Sequence, residues 1–182
     1  MKKKSGFTII EIALVLGIAG LIMILAFFAL PSLWSSQRDA DRRANVMNFI
    51  SALKTYQTNN SRGALPEGED VTCTLDVSVS CNSSNEESWS DFLQQYYTKN
   101  HALEDPGGAV YRVEVSECEA NNNGDKCEKV PIENRFNIEE PTIYVVKGAT
   151  CNEEDITIVK TANKRSVAAV QVLEKGKYCH NT

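Results

Sequence analysis

Gly6-Phe7-Thr8-Ile9-Ile10-Glu11 stands between the cluster Lys2-Lys3-Lys4 and a run of uncharged residues from Ile12 to Trp34. Reading this stretch decides how the rest of the chain is arranged. Glu11 is the sole ionisable side chain between Ser5 and Ser36. Placing a carboxylate near the centre of a bilayer costs about 2.5 kcal/mol or more, so an acidic group on such a segment is read as functional, with a partner to be named. The alternative is that Glu11 lies at the interface and faces water.

From Phe7 the apolar stretch runs to Trp34, about 28 residues against the roughly 20 needed to span a bilayer. Ala13, Gly17 and Gly20 place small residues on it, with Ala13 and Gly17 at the small-xxx-small spacing that lets helices approach closely; ordinary membrane-helix composition explains them as well. Pro31 has no backbone donor and is expected to kink or loosen the helix one turn earlier. Lys2 to Lys4 stay cytoplasmic by the positive-inside bias. An ordinary secretory cut after the apolar run needs a small-x-small site, and Ser32-Leu33-Trp34 does not supply one.

A short basic leader, a Gly, a Phe, a Glu four residues after that Phe and then about twenty apolar residues together resemble the type IV pilin and pseudopilin family. The match is carried by Lys2 to Lys4, Gly6, Phe7, Glu11 and Ile12 to Leu30, and it covers the first third of the chain. The resemblance implies a membrane prepilin peptidase that cuts between Gly6 and Phe7 and methylates the new amine on Phe7. Gly suits the cut site, because it lets an extended backbone approach a protease closely. The resemblance also implies that Glu11 pairs with the Phe7 amine of a neighbouring subunit once the helices pack into a filament.

Composition agrees with one anchored domain. The chain has 182 residues, 42% of them hydrophobic, and five prolines. Its formal charge is −5, and removing a leader that carries three lysines leaves −8. A chain that acidic is a poor general partner for nucleic acid or anionic lipid, although a local basic patch overrides such a balance. Six cysteines, Cys73, Cys81, Cys118, Cys127, Cys151 and Cys179, all follow the apolar segment. An even number beyond a membrane anchor fits disulfides in an oxidising compartment; zinc is the competing idea, but no pair has CxxC spacing and the nearest His is His180.

After Pro31 the sequence turns polar, with Arg38, Asp39, Asp41, Arg42 and Arg43, and then amphipathic. Val46, Phe49, Ile50, Leu53 and Tyr56 fall on one helical face, with Met47 beside it, and Asn59 to Gly63 followed by Pro66 read as the stop. A continuous helix over 7–59 is a rod of roughly 80 Å. Arg38, Arg42 and Arg43 have four readings: lipid heads, nucleic acid, acids of a neighbouring subunit, or a solvated face. Residues 63–108 read as a connection with a helix inside it. Cys73 and Cys81 bracket an alternating run there, and Ser88 is placed to cap a helix bearing Trp89, Phe92, Leu93, Tyr96 and Tyr97, aromatics read as core. Asp105-Pro106-Gly107-Gly108 is a turn; its form also resembles the pseudopilin branch.

From Ala109 the period becomes two. Tyr111, Val113 and Val115 alternate with Arg112, Glu114 and Ser116, and 142–146, 156–160 and 167–173 are further strand candidates. The expected fold is α+β, a long N-terminal helix on a small antiparallel sheet of about four strands, pilin-like by resemblance. Its segments are a leader (1–6), an apolar membrane or filament-core helix (7–34), the amphipathic half of that helix (35–62), the connection (63–108) and a disulfide-tied sheet (109–182). Pairing in sequence order joins Cys73 to Cys81, Cys118 to Cys127 and Cys151 to Cys179, one of 15 possible sets. The last bridge resembles the C-terminal disulfide loop of many pilins.

No GxSxG, HExxH or P-loop is present, and the near-neutral bases are His101 and His180, so the chain is read as no enzyme and without cofactor. Glu119 to Asp125 has the flavour of a calcium loop, but it starts with Glu and has Val130 where the bidentate Glu belongs, so a tight Asn-Gly turn is the reading. Asn59 and Asn82 begin N-x-S sequons. The resemblance makes the chain a structural subunit of a type IV pilus, serving adhesion, twitching motility or DNA uptake. Its implied partners are copies of itself and other pilins, the prepilin peptidase and an inner-membrane assembly platform. It waits as a single-pass cytoplasmic-membrane protein with a cytoplasmic N-terminus and ends in an extracellular filament. The alternatives are a type II secretion pseudopilin, a minor tip pilin touching DNA or a surface through loop 119–126, and a signal-anchored domain, which has no need of Gly6, Phe7 and Glu11 together.

Overall fold

The computed structural model describes residues 6–60, 63–68, 70–76, 78–82, 86–98, 104–119, 127, 140–152 and 157–182. The chain divides into two compact units, one ending at Gln37 and the other running from Arg38 to Thr182. Helix α1, Ile9–Asn59, is 51 residues long and contributes to both.

In the first unit α1 is apolar on every side. Leu14, Val15, Leu16 and Ile24 lie on different sides of the helix, and all are exposed. The helical backbone runs through Pro31 without a break. The ring removes one donor, to the carbonyl four residues back, and the bonds on either side hold the turn.

In the second unit the expected face is buried: Val46, Phe49, Ile50 and Leu53 lie in the core, Tyr56 packs at its margin, and Met47 is exposed. The helix ends at Asn59, followed by Gly63 in the left-handed region at φ +65°.

Strands β1 (Val71–Leu75), β2 (Val79–Cys81), β3 (Tyr111–Glu117), β4 (Thr142–Lys147), β7 (Val167–Leu173) and β8 (Gly176–Asn181) form one sheet in the order β2-β1-β3-β4-β7-β8. Strands β5 (Ala149–Cys151) and β6 (Ile158–Lys160) form a separate antiparallel pair. The segment read as a connection thus supplies two strands of the main sheet.

The antiparallel expectation is corrected here, because β3 and β4 pair in parallel from Arg112 opposite Thr142 to Glu117 opposite Lys147. Parallel neighbours need a crossover of a dozen or more residues, and the stretch 118–141 has that length. The sequence pattern carries the same distinction. In β3 burial alternates, whereas the run Thr142-Ile143-Tyr144-Val145-Val146 is buried throughout. Ile143 and Val145 join the helix-side core with Val167 and Ala169, while Tyr144 and Val146 pack on the other face with Ala168, Val170, Ala149 and Ile158. A strand covered on both faces reads as a continuous apolar run.

Helix α2, Glu86–Phe92, continues into a π-helical turn at Leu93–Tyr97. Ser88 is not its cap, a second correction: it lies inside the helix, and its hydroxyl accepts the Glu67 N–H at 2.7 Å, which leaves it facing the preceding loop. The aromatics are core as read. Phe92 meets the rings of Phe49, Tyr56 and Trp89 edge to face at 5.5 to 5.7 Å.

All six cysteines are paired in sequence order, Cys73 with Cys81, Cys118 with Cys127 and Cys151 with Cys179. The first bridge joins opposed positions of β1 and β2, and the last ties β5 to β8.

Candidate assembly site

The N-terminus of α1 holds the three residues singled out from sequence. Gly6 and Phe7 precede the helix, and Phe7 is 85% exposed. Helix α1 begins at Ile9, which makes Thr8 the N-cap and Glu11 the third helical residue. The Thr8 N–H and hydroxyl both donate to Glu11 Oε2, at 3.0 and 2.9 Å, and the Glu11 N–H meets Thr8 Oγ1 at 3.4 Å. This is a reciprocal capping box, Thr-x-x-Glu, which satisfies two helix-end donors with two side chains. The Thr-x-x-Glu spacing of Thr8 and Glu11 is the sequence signal for this cap, a local role that neither the ion-pair reading of Glu11 nor the water-facing one includes.

Beyond the cap, α1 is long and apolar enough to cross a membrane, and none of its most apolar stretch is buried within the chain. A β-carbon added at Gly17 or Gly20 would meet nothing within 4 Å. The small-residue spots therefore face open space.

The three arginines after this segment behave differently from one another. Arg38 lies against Glu174, with Nε donating to Oε1 at 2.6 Å and Nη2 to Oε2 at 3.1 Å. Arg42 makes a fork-to-fork pair with Asp105, 2.7 Å on each arm, and the two side chains are 3% and 1% exposed. Arg43 is exposed, its guanidinium 5.8 Å from the Tyr178 ring centre. Acids of the same chain, rather than of a neighbour, thus take two of the three.

The Arg42–Asp105 pair sits in a buried polar network. The Tyr111 hydroxyl donates to Asp105 Oδ1 at 3.2 Å and accepts from Asn45 at 3.0 Å and Gln171 at 3.2 Å. Asp39 accepts the backbone N–H groups of Glu174 and Lys175, at 2.8 and 3.2 Å, holding the turn between β7 and β8. The sequence marked Asp105-Pro106-Gly107-Gly108 as a turn, and the turn is there, closed by Gly108 N–H to Asp105 O at 2.7 Å. Its purpose was illegible, because Arg42 lies 63 residues away.

Electrostatics follow from these contacts. Burial alone would raise the Asp105 carboxyl, but the Arg42 bonds, the Gly107 N–H and the Tyr111 hydroxyl together hold it below its ordinary value. The bond from Arg38 holds Glu174 low, against a smaller opposing effect of burial. Burial raises both Tyr97 and Tyr111.

The leader residues 1–5, His101, most of the 119–126 loop and Val130 lie outside the described residues. Among the described residues no three His, Cys, Asp or Glu side chains converge to hold a metal, and the disulfides occupy every thiol a zinc ion would need. No family model matches the chain, and no curated protein or solved structure shows a significant match to it.

Proposed function

We propose that this chain is a type IV pilin, a structural subunit cut after Gly6, methylated at Phe7 and assembled into a filament through its apolar helix. The observation that carries the reading is the joint placement of Gly6, Phe7 and Glu11 at the mouth of a segment whose large side chains, from Ile9 to Trp34, all stay exposed. Such a surface needs an occupant. Lipid fills that role before assembly, and the same segments of other subunits fill it afterwards, where small residues such as Ala13 and Gly17 allow close approach. The disulfide-tied α+β unit is suited to the outside of such a fibre, where no reducing pool protects thiols.

In a dry core the Glu11 charge is costly even with its cap, because Thr8 supplies neutral donors and no cation. The Phe7 amine of an adjacent subunit supplies the cation in this reading. Removing one partner of a buried ion pair costs about 3 to 5 kcal/mol, so Glu11→Ala and Glu11→Val should stop assembly while leaving the cut at Gly6 intact.

The capping box allows a sharper variant. Glutamine serves at the third helical position of such a cap as glutamate does, so Glu11→Gln keeps the helix start and removes the charge. The test expresses the full chain with a prepilin peptidase and assembly platform, images surface filaments by electron microscopy and identifies the mature N-terminus by mass spectrometry. The expected result is filaments built of this chain with methylated Phe7, and none from Glu11→Gln. Normal filaments from Glu11→Gln as the sole major subunit would remove the charge pairing. An unprocessed chain that forms no filament would leave only a membrane-anchored domain.

A further inference from the structure

The chain is acidic overall, yet one concave surface of the second unit is not. A cleft of about 490 Å³ opens beside the β5–β6 pair, and Lys147, Lys160, Lys164 and Arg165 line it together with Glu67 and Glu117. The cations are not equivalent. Lys147 is fixed, its ammonium donating to the Gly68 carbonyl at 2.8 Å and lying 3.7 Å from Glu117. Lys160, Lys164 and Arg165 are exposed and, among the described residues, make no ion pair, although acidic side chains outnumber basic ones in this protein. They come from the end of β6 and the turn that leads into β7, so a short stretch of chain gathers them.

We infer that this cleft binds a small phosphate ester of a sugar or polyol. Three cations that pair with no acid among the described residues suit a group of charge near −2, with lysines as point charges and Arg165 as a two-pronged donor. The volume falls in the range of small-molecule pockets, about 300 to 1,000 Å³. Glu67 and Glu117 decide the rest of the ligand. They accept hydrogen bonds from hydroxyl groups, and they repel a second phosphate, so a monoester with a hydroxylated body fits where a diphosphate or a phosphodiester polymer does not. The tether from Lys147 to Gly68 holds the floor in shape before a ligand arrives, which lowers the ordering cost of binding. This site is independent of the filament reading, since every residue in it lies outside α1.

Calorimetric titration of the full chain in nonionic detergent tests it, with glucose 6-phosphate, glucose and inorganic pyrophosphate as probes. Glucose 6-phosphate is expected to bind best and to weaken as salt rises. The double variant Lys160→Gln with Lys164→Gln should lose about tenfold or more in affinity, a loss of roughly 1.4 kcal/mol. Lys54→Gln, on the exposed side of α1, should change nothing. Glu117→Gln should weaken glucose 6-phosphate and tighten pyrophosphate, a crossover that general loosening of the fold does not produce. Equal binding of glucose and glucose 6-phosphate, or no loss in the double variant, overturns the inference. A short oligothymidylate that binds more tightly than glucose 6-phosphate, and is lost in the double variant, also overturns it, by assigning the cleft to a polymer.

Discussion

The two halves of α1 share one backbone conformation and solve the problem of burial in opposite ways. Up to Trp34 the helix carries one charge, at its cap, and hides none of its large apolar side chains within the chain. From Asp39 to Leu53 it hides an arginine and an aspartate along with its apolar face. The first half therefore finds no cover for its apolar side chains within the chain, whereas the second covers its apolar face and pairs Arg42 with Asp105 within it. Helical geometry is common to both, so the difference in role comes from side chains alone.

Breaking the internal half at its charged centre should have the largest effect. Arg42→Ala leaves Asp105 buried without its cation and is expected to cost about 3 to 5 kcal/mol in chemical denaturation of the full chain in detergent. Replacing both partners, Arg42→Met with Asp105→Leu, should recover most of that loss, since an apolar pair of similar volume has no charge to strand. The same pair sets a pH dependence. Asp105 and Glu174 are held below their ordinary values when folded, so their stabilisation is complete above the unfolded carboxylate range, near pH 4, and is lost as pH falls through the lower folded values. Denaturation midpoints should be level from about pH 5 to 7 and fall below about pH 4, with a shallower fall in Asp105→Asn.

A matched truncation sharpens the comparison. Leu53 is fully buried and Leu25 is 60% exposed on the same helix. Leu53→Ala should destabilise the disulfide-tied unit by about 2 to 5 kcal/mol, and Leu25→Ala should leave its denaturation midpoint within about 0.5 kcal/mol of the parent. If Leu25→Ala lowers stability as much as Leu53→Ala, the first half has a partner within the chain and the contrast fails.

Legibility in the sequence followed the range of the interactions. The buried face of α1 was visible because residues three and four apart share a side, and the β3 strand because its period is two. Both depend on neighbours in sequence. The parallel pairing of β3 with β4 was not visible, since alternating burial in β3 says nothing of which strand lies beside it. The run Thr142 to Val146 did carry a trace of it, five consecutive residues with no polar side facing water. The Arg42–Asp105 fork was beyond reach for a different reason, as nothing local distinguishes a paired arginine from the solvated Arg43 beside it. At the helix start, the Thr8–Glu11 cap was local and available.

The disulfides sharpen the contrast further, because all three lie in the unit that buries the apolar face of the second half. Chain entropy ranks them by the loop each closes. The separation of 28 residues between Cys151 and Cys179 exceeds the 8 and 9 of the other two. Cys151→Ser with Cys179→Ser should therefore cost most of the three, within about 2 to 4 kcal/mol, and Cys73→Ser with Cys81→Ser somewhat less. Thermal melts of the three double variants give the order, and a larger loss for the Cys73 pair would show that strain or local structure outweighs loop length.

The smallest effect belongs to the cap. Thr8→Ala removes the hydroxyl that donates to Glu11 Oε2 and accepts the Glu11 N–H, leaving only the backbone N–H as donor, and losing an N-cap threonine costs about 1 kcal/mol, felt within the first turn. The buried unit should be untouched, with an unchanged denaturation midpoint. Against Glu11→Gln the variant separates two roles of one carboxylate. Thr8→Ala keeps the charge and weakens the cap, so in the proposed filament it should slow or lessen assembly without stopping it. If Thr8→Ala stops assembly as completely as Glu11→Gln, the first turn of α1 matters through its shape. If only Glu11→Gln does so, the exposed half of the helix is joined to its neighbours by charge.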